Sequence, residues 1–379
     1  MKRVLISIVG LFVAFTSHAQ SSQFDVNRDG KVNVQDAVML VNHILTNPNN
    51  GENADEGQLR PLKLVVSENP LVMPDGAKAH QHRAPAVFTH TLDHFYINMM
   101  YYDGDFWWNT DRSETRQISS PGGFYENNGY WPPYAENDDS VTVFGYYSYY
   151  KHDVDFFELN DGKPYLKVIT EESSDDQVDV IVAKNVDTWN NCQGLVYLNF
   201  DHVCSALQFS VIKTATLADY IVEVNEIVLH NIHESGKYAL LTNEWYDIDV
   251  DGYNNFTNFT LKAHLNGVEN AIIVDLKEET PLGKDEDDYL FLIPQNITGM
   301  AKGTAIVDAD NAQSAYLEIK CKIYDGNNIF KVGAPNGSPN EFGSVYLPFS
   351  ATLTAGHIHP FIISIGTAIR DAQGNKIFN

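Results

Sequence analysis

Cysteine is scarce in this chain, and basic residues are outnumbered two to one. The three thiols, Cys192, Cys204 and Cys321, permit at most one disulfide and leave one over, which excludes a disulfide-framed domain. Against 50 Asp and Glu stand 25 Lys and Arg, a formal net charge of -25. Nucleic acid and anionic membranes both reward Lys and Arg, so neither suits this chain as a partner; a solvated acidic surface that binds divalent cations loosely does. Long apolar runs are missing too. The stretch from Val4 to Phe15 falls well short of the ~20 residues a membrane-spanning helix needs, and no second candidate follows. A nucleophile elbow, a phosphate loop, the His pair of a zinc protease and a Cys-x-x-Cys are all absent, which points away from an enzyme. Asp138-Asp139 and Asp287-Asp288 are adjacent carboxylates in runs rich in turn formers, and neighbours on a strand face opposite ways. A glycosidase pair would have to come from distant strands, and nothing marks one.

What is there begins with an export signal. Lys2 and Arg3 precede the apolar stretch, and Ser17-His18-Ala19 is a small-x-small pattern suited to signal peptidase, so residues 1–19 are expected to be removed after Ala19. No cysteine follows the apolar run, so the anchor of a bacterial lipoprotein is not expected. The mature chain is expected to be exported, and to be soluble or attached to the surface.

Directly behind lies "FDVNRDGKVNVQDAVMLVNHIL", Phe24 to Leu45. Asp25, Asn27, Asp29, the carbonyl of Lys31, Asn33 and Asp36 place oxygen donors at the alternating positions from which a twelve-residue loop wraps a hard cation, with Gly30 at the sharp turn. Asp36 replaces the usual Glu, so the last arm is shorter. Val34, Val38, Val41 and Leu45 then recur at helical spacing. Loop then one helix, over residues 20–46, resembles a single dockerin repeat; that resemblance implies calcium and a cohesin-like partner. A second stretch, "DIDVDGYNNFTN", repeats the spacing with Asp247, Asp249, Asp251, the Tyr253 carbonyl and Asn255. It reads either as a second calcium loop or as a solvated hairpin turn.

Residues 47–61, rich in Asn, Gly and Glu at first, read as a linker. Beyond it the pattern changes to short β-branched or aromatic segments, among them "VTVFGYYSYY", "YLKVIT", "LVYLNF", "ALQFSVI", "IVEVNEIVL", "YLEIKCKIY" and "PFIISIGTAI", separated by Gly, Asn, Asp or Pro. The expected fold is all-β, with two tandem β-sandwich domains over residues 62–200 and 201–379.

Six segments occur in order: "GYWPPYAENDDSVTVFGYYSYY", "VDVIVAKN", "LVYLNFDHVCSALQFSV", "VNEIVLHNIHESGKY", "YLFLIPQNI" and "LTAGHIHPFIISIG". Together they resemble the bacterial fimbrillin family of fimbrial subunits and adhesins, over roughly Leu62 to Asn379. The resemblance implies transthyretin-like sandwiches, a place at the cell surface, in a fimbrium or on the outer membrane exterior, and other fimbrial subunits as partners. It also implies a processing site at an Arg-Ala pair, which Arg83-Ala84 matches by position. "LKLVVSENPLVM", Leu62 to Met73, then reads as a first strand that cleavage at Arg83 frees, or as a permanent edge strand. The chain departs from the family in its dockerin-like head and in the missing lipidation cysteine.

Two features stay open. The cluster "MYYDGDFWWNTD" suits either stacking on sugar rings or a sandwich core with edge coverage. The i,i+2 pairs His80/His82 and His357/His359 suit either a metal or local hydrogen bonds. The leading expectation is a non-enzymatic fimbrial or adhesin subunit joined to others by strand addition. The alternative is a dockerin-bearing glycan-binding or glycan-degrading component of an extracellular assembly, recruited by a cohesin-like protein or a host or bacterial surface glycan.

Overall fold

The structure is a computed structural model that describes residues 60–69, 72, 94–102, 107–109, 113–117, 124–132, 135–147, 157–160, 163–177, 179–246, 256–283 and 288–378. These residues are nearly all β, as the β-branched and aromatic segments require. The first strands are β1 (Pro61–Glu68), β2 (His94–Tyr102), β3 (Trp107–Asn109), β4 (Ser113–Gln117), β5 (Phe124–Tyr130) and β6 (Val141–Tyr147). They are followed by β7 (Phe157–Asn160), β8 (Lys163–Ile169), β9 (Ile181–Asp187), β10 (Leu195–His202), β11 (Ser205–Lys213), β12 (Tyr220–His233), β13 (Ser235–Ala239) and β14 (Glu244–Tyr246). Next come β15 (Phe256–Lys262), β16 (His264–Leu265), β17 (Val268–Glu269), β18 (Ile272–Ile273), β19 (Thr280–Pro281), β20 (Leu290–Leu292) and β21 (Asn296–Ile297). The last are β22 (Tyr316–Asp325), β23 (Phe330–Val332), β24 (Gly343–Pro348), β25 (Ala351–Thr352) and β26 (Ile358–Ile365). Two short α-helices interrupt them, α1 (Trp189–Cys192) and α2 (Ile306–Asn311). Among the described residues no helix is long and apolar enough to cross a membrane.

The chain falls into two compact units. One lies within Met1–Glu68, Asp93–Gly145 and Ala183–Phe200, the other within Asn69–Leu92, Tyr146–Val182 and Asp201–Asn379. The first is built on an eight-stranded sheet in the order β3-β2-β4-β5-β1-β10-β9-β6, and β6 pairs in turn with β2, so the path of pairings closes on itself. Closure removes the unpaired edge that an open sheet would present. Leu64, Phe95, Ile97, Phe144, Val196 and Phe200 fill its interior with no exposed area. Phe95 meets Phe200 edge to face at 5.2 Å. Gly145 is required there by space: a Cβ would lie 2.8 Å from Cζ of Phe200.

The second unit packs two sheets face to face, as a sandwich does. One is centred on β11, with β19 and β20 on one edge and β26 on the other; in the other, β12 and β22 lie side by side between β15 and the pair β23 and β24. Their inner faces share one core: Leu207, Phe209 and Val211 from β11, Val224, Ile227 and Leu229 from β12, and Leu317, Ile319 and Cys321 from β22. Just past the last β12–β22 pair, His230 opposite Tyr316, Asn231 takes a left-handed conformation (φ 59°), within the register shift between Leu229 and Ile232 against β15. Asn tolerates that conformation better than a β-branched residue would.

All three cysteines are free and buried. The single disulfide that the count permitted is therefore not made. Burial pushes the thiols of Cys192 and Cys321 up to about 12 and raises that of Cys204 as well.

Candidate functional site

The first strand occupies the interior of its sheet. β1 runs antiparallel to β5 on one side, with Leu64 opposite Tyr125 and Val65 opposite Phe124. On the other side it runs parallel to β10, in continuous register from Lys63 opposite Leu195 to Glu68 opposite Phe200. The reading of this segment as an edge strand is thus corrected: β10 pairs with β1 from Lys63 to Glu68, and β5 pairs with its other edge from Pro61 to Val65. Its sequence explains the placement. Leu62 and Leu64 alternate toward the interior at 2% and 0% exposure, Lys63 between them stays in water, and Val65 packs on the opposite face against Leu195 and Tyr197. Pro61, which cannot donate to a ladder, takes the first position, where strands tolerate it. Burying Leu62, Leu64 and Val65 is worth about 1.5–3 kcal/mol each. Any extended segment with the same alternation would gain the same contacts.

A set of polar contacts marks the start of β1. The Arg60 guanidinium donates from Nη2 to the carbonyls of Pro132 (2.8 Å) and Ala135 (2.7 Å), and from Nη1 to Oδ1 of Asn137 (3.0 Å). Its carbon stands 5.2 Å from the centre of the Trp189 ring, and Trp189 in turn meets the buried Trp131 edge to face at 5.9 Å. The carbonyl of Arg60 accepts from Trp131 N, and Lys63 N donates to Gly194 O. Gly194 (φ +84°) lies so close that a Cβ there would come within 2.5 Å of the Pro61 carbonyl. Further along, Ser67 Oγ donates to Oδ1 of Asn199. Pro132, Ala135, Asn137 and Trp189 thus form a receptor for Arg60 that is itself braced: α1 is capped by Thr188, whose hydroxyl accepts from Asn191 N, and Asn190 Nδ2 donates to Oδ1 of Asp138 at 2.6 Å.

Most residues expected from sequence to carry chemistry lie outside the described residues: Asp25, Asn27, Asp29, Lys31, Asn33 and Asp36 of the first loop, Asp247, Asp249, Asp251, Tyr253 and Asn255 of the second, and Ala19 and Arg83. The second loop is nonetheless bracketed. β14, on one side of it, pairs with β13, and β15, on the other, pairs with β12 in a different sheet. Asp138 and Asp139 are turn residues, Oδ2 of Asp139 accepting from Glu136 N. His357 and His359 are engaged locally, His357 Nδ1 with the Ala355 carbonyl and His359 Nε2 with Thr354 N. Within the aromatic cluster Met100 and Tyr101 are buried. Among the described residues no group of three or more His, Cys, Asp or Glu is arranged to hold a metal. Reasoning from sequence did not find the Arg60 receptor, because its parts lie far apart along the chain and two of its acceptors are main-chain carbonyls.

Comparison with known proteins gives two family matches. A model described as fimbrillin-like matches residues 104–374, and one described as a dockerin type I domain matches residues 23–56. Among solved structures, a candidate cell adhesion protein from Bacteroides ovatus ATCC 8483 shares 13% identity over 83% of this chain and 95% of its own, with a TM-score of 0.44. A fimbrial protein from Bacteroides vulgatus ATCC 8482 shares 14% over 81% and 95%, with a TM-score of 0.42. A fimbrial assembly protein from Parabacteroides distasonis ATCC 8503 shares 12% over 72% and 98%, with a TM-score of 0.28. No curated protein matches the chain.

Proposed function

Because the chain belongs to the fimbrillin-like family, we propose that it is a non-enzymatic fimbrial or adhesin subunit, exported to the cell surface and joined to other subunits by strand addition. The observation that carries this reading is the position of β1 between β5 and β10. A strand that leaves an interior position uncovers two rows of unpaired N–H and C=O groups and an apolar trough, and a strand from a neighbour satisfies both at once. Cleavage at Arg83, between β1 and β2 in sequence, would cut β1 from the rest of its sheet. Treatment with an arginine-specific protease tests this. Ladders that form from the wild type and not from Arg83→Ala support the reading; clean cleavage after Arg83 with the protein still monomeric at high concentration opposes it.

At the other end, the dockerin match over 23–56 supports a calcium-binding head. The donor set fits a hard cation: the carboxylates of Asp25, Asp29 and Asp36, the amide oxygens of Asn27 and Asn33, and the Lys31 carbonyl. Without an ion the carboxylates repel one another, so binding should order the following helix. Calorimetry on the full chain should show calcium heat that Asp25→Ala plus Asp29→Ala abolishes. The same match supports the second reading, recruitment through a cohesin-like partner to a glycan-binding or glycan-degrading assembly. Affinity capture from the native cell surface separates the two, since pilins favour the first and a scaffold or retained polysaccharide the second.

A further inference from the structure

Alternation alone does not define how a strand sits in the β1 position. A one-residue slip would turn Leu62 and Leu64 out to water, but a two-residue slip keeps an apolar residue on the same face. Something at the end of the trough must tell these registers apart. The described residues hold one such feature, the receptor around Arg60. It offers two carbonyls, one amide oxygen and an indole face, with no carboxylate in direct contact with the guanidinium. Converging neutral acceptors beside an aromatic face suit a planar guanidinium, which donates in a fixed fork and stacks; an ammonium is a point charge and matches only part of the set. Gly194 lets the strand's backbone approach closely beside this receptor, since a Cβ there would lie 2.5 Å from the Pro61 carbonyl.

We infer that this receptor reads the register of whatever strand fills the trough, and that the partner strand is an extended segment of another subunit with the pattern Arg-x-apolar-x-apolar, as in Arg60-Pro61-Leu62-Lys63-Leu64. This rests on the strand-addition reading and names the chemistry of the strand that is accepted. An arginine at the leading position seats its guanidinium against Pro132, Ala135, Asn137 and Trp189, and the two following apolar residues then fall where Leu62 and Leu64 lie. A strand without that arginine gains the same apolar burial but has no preference between registers two residues apart.

The test uses the full chain carrying a sequence-specific protease site inserted between Asp75 and Pro85, cleaved so that β1 is no longer tethered to β2. Fluorescent peptides spanning Gln58 to Asn69 are added in excess in mild urea, and uptake and release are followed by anisotropy. The wild-type peptide should be taken up, the Arg60→Gln peptide should dissociate about tenfold faster, and Arg60→Lys should fall between, since charge-assisted bonds and the ring contact are lost in stages. Asn137→Ala in the protein should weaken the wild-type peptide and leave the Arg60→Gln peptide unchanged. Equal release of the wild-type and Arg60→Gln peptides overturns the register reading while strand addition stands. Failure of every peptide to enter overturns both.

Discussion

β1 and β26 are both eight-residue strands, and each runs parallel to one neighbour, β1 to β10 and β26 to β11. Their other edges differ. The first half of β1, Pro61 to Val65, is paired on its far side by β5, whereas β26, among the described residues, meets only the single bridge from Val72 to His357. Composition follows the difference. β26 carries Pro360, which cannot donate to a ladder, and leaves Ile362 55% exposed, while β1 buries Leu62, Leu64 and Val65. A strand left at an edge is guarded against further pairing; a strand held from both sides needs no guard. The trough that β1 fills is therefore the one in which a vacancy would expose unprotected backbone on two sides.

The sharpest way to break this contrast is a matched pair of truncations. Leu64→Ala removes a side chain with no exposed area and should cost about 2–5 kcal/mol, read from urea unfolding by tryptophan fluorescence. The same assay on Ile362→Ala, at the exposed edge position, should stay within about 0.5 kcal/mol. If the two variants cost the same, β1 is not an interior strand.

Next in size is Gly194→Ala. It forces a side chain into a left-handed conformation and against the Pro61 carbonyl, so a loss of about 1–3 kcal/mol is expected. The loss should be local. Cys192 adjoins the start of β1 through α1 and Gly194, while Cys321 belongs to the core of the second unit. All three thiols should resist labelling in the native protein, and in Gly194→Ala Cys192 should react well before Cys204 and Cys321. Simultaneous labelling would mean that the two units open together.

A smaller effect separates the units by acid. Glu318 on β22 would be raised by burial, but hydrogen bonds from His230 (2.9 Å), Lys320 and Ser344 (2.6 Å) outweigh this and hold it at about 2, below its ordinary 4.5. A lowered folded-state value means stability that is present above about pH 4.5 and lost as pH falls toward 2. The contribution is on the order of 1–2 kcal/mol once residual contact with water is allowed for. Glu318→Gln should flatten the acid limb between these pH values in a pH series of thermal unfolding, with the first unit's Trp131 signal unaffected. An unchanged limb would remove Glu318 from that role.

Much of the second unit was legible from local pattern. "ALQFSVI", "YLEIKCKIY" and "PFIISIGTAI" became β11, β22 and β26 because β-branched alternation between turn formers states a half-buried strand on its own. The first unit was less so. "HFYINMMYY" became β2 without a clean alternation, since Ile97, Asn98, Met99, Met100 and Tyr101 are all buried; period 2 fades when both faces are covered. In the second unit β7 and β13 escaped local pattern, being short and polar or Gly-containing strands that gain their place from pairing with β8.

By itself the sequence determined the all-β class, the ordered segments that carry the family, and the oxygen-donor spacing of the dockerin-like loop, because each is written in contiguous residues. Only the tertiary structure decided that β1 is enclosed rather than at an edge, that all three thiols stay apart, and that Arg60 finds acceptors near residues 132–137 and a ring at Trp189. Those outcomes depend on which distant strands pair and which main-chain carbonyls are left over, and a backbone carbonyl has no letter in a sequence.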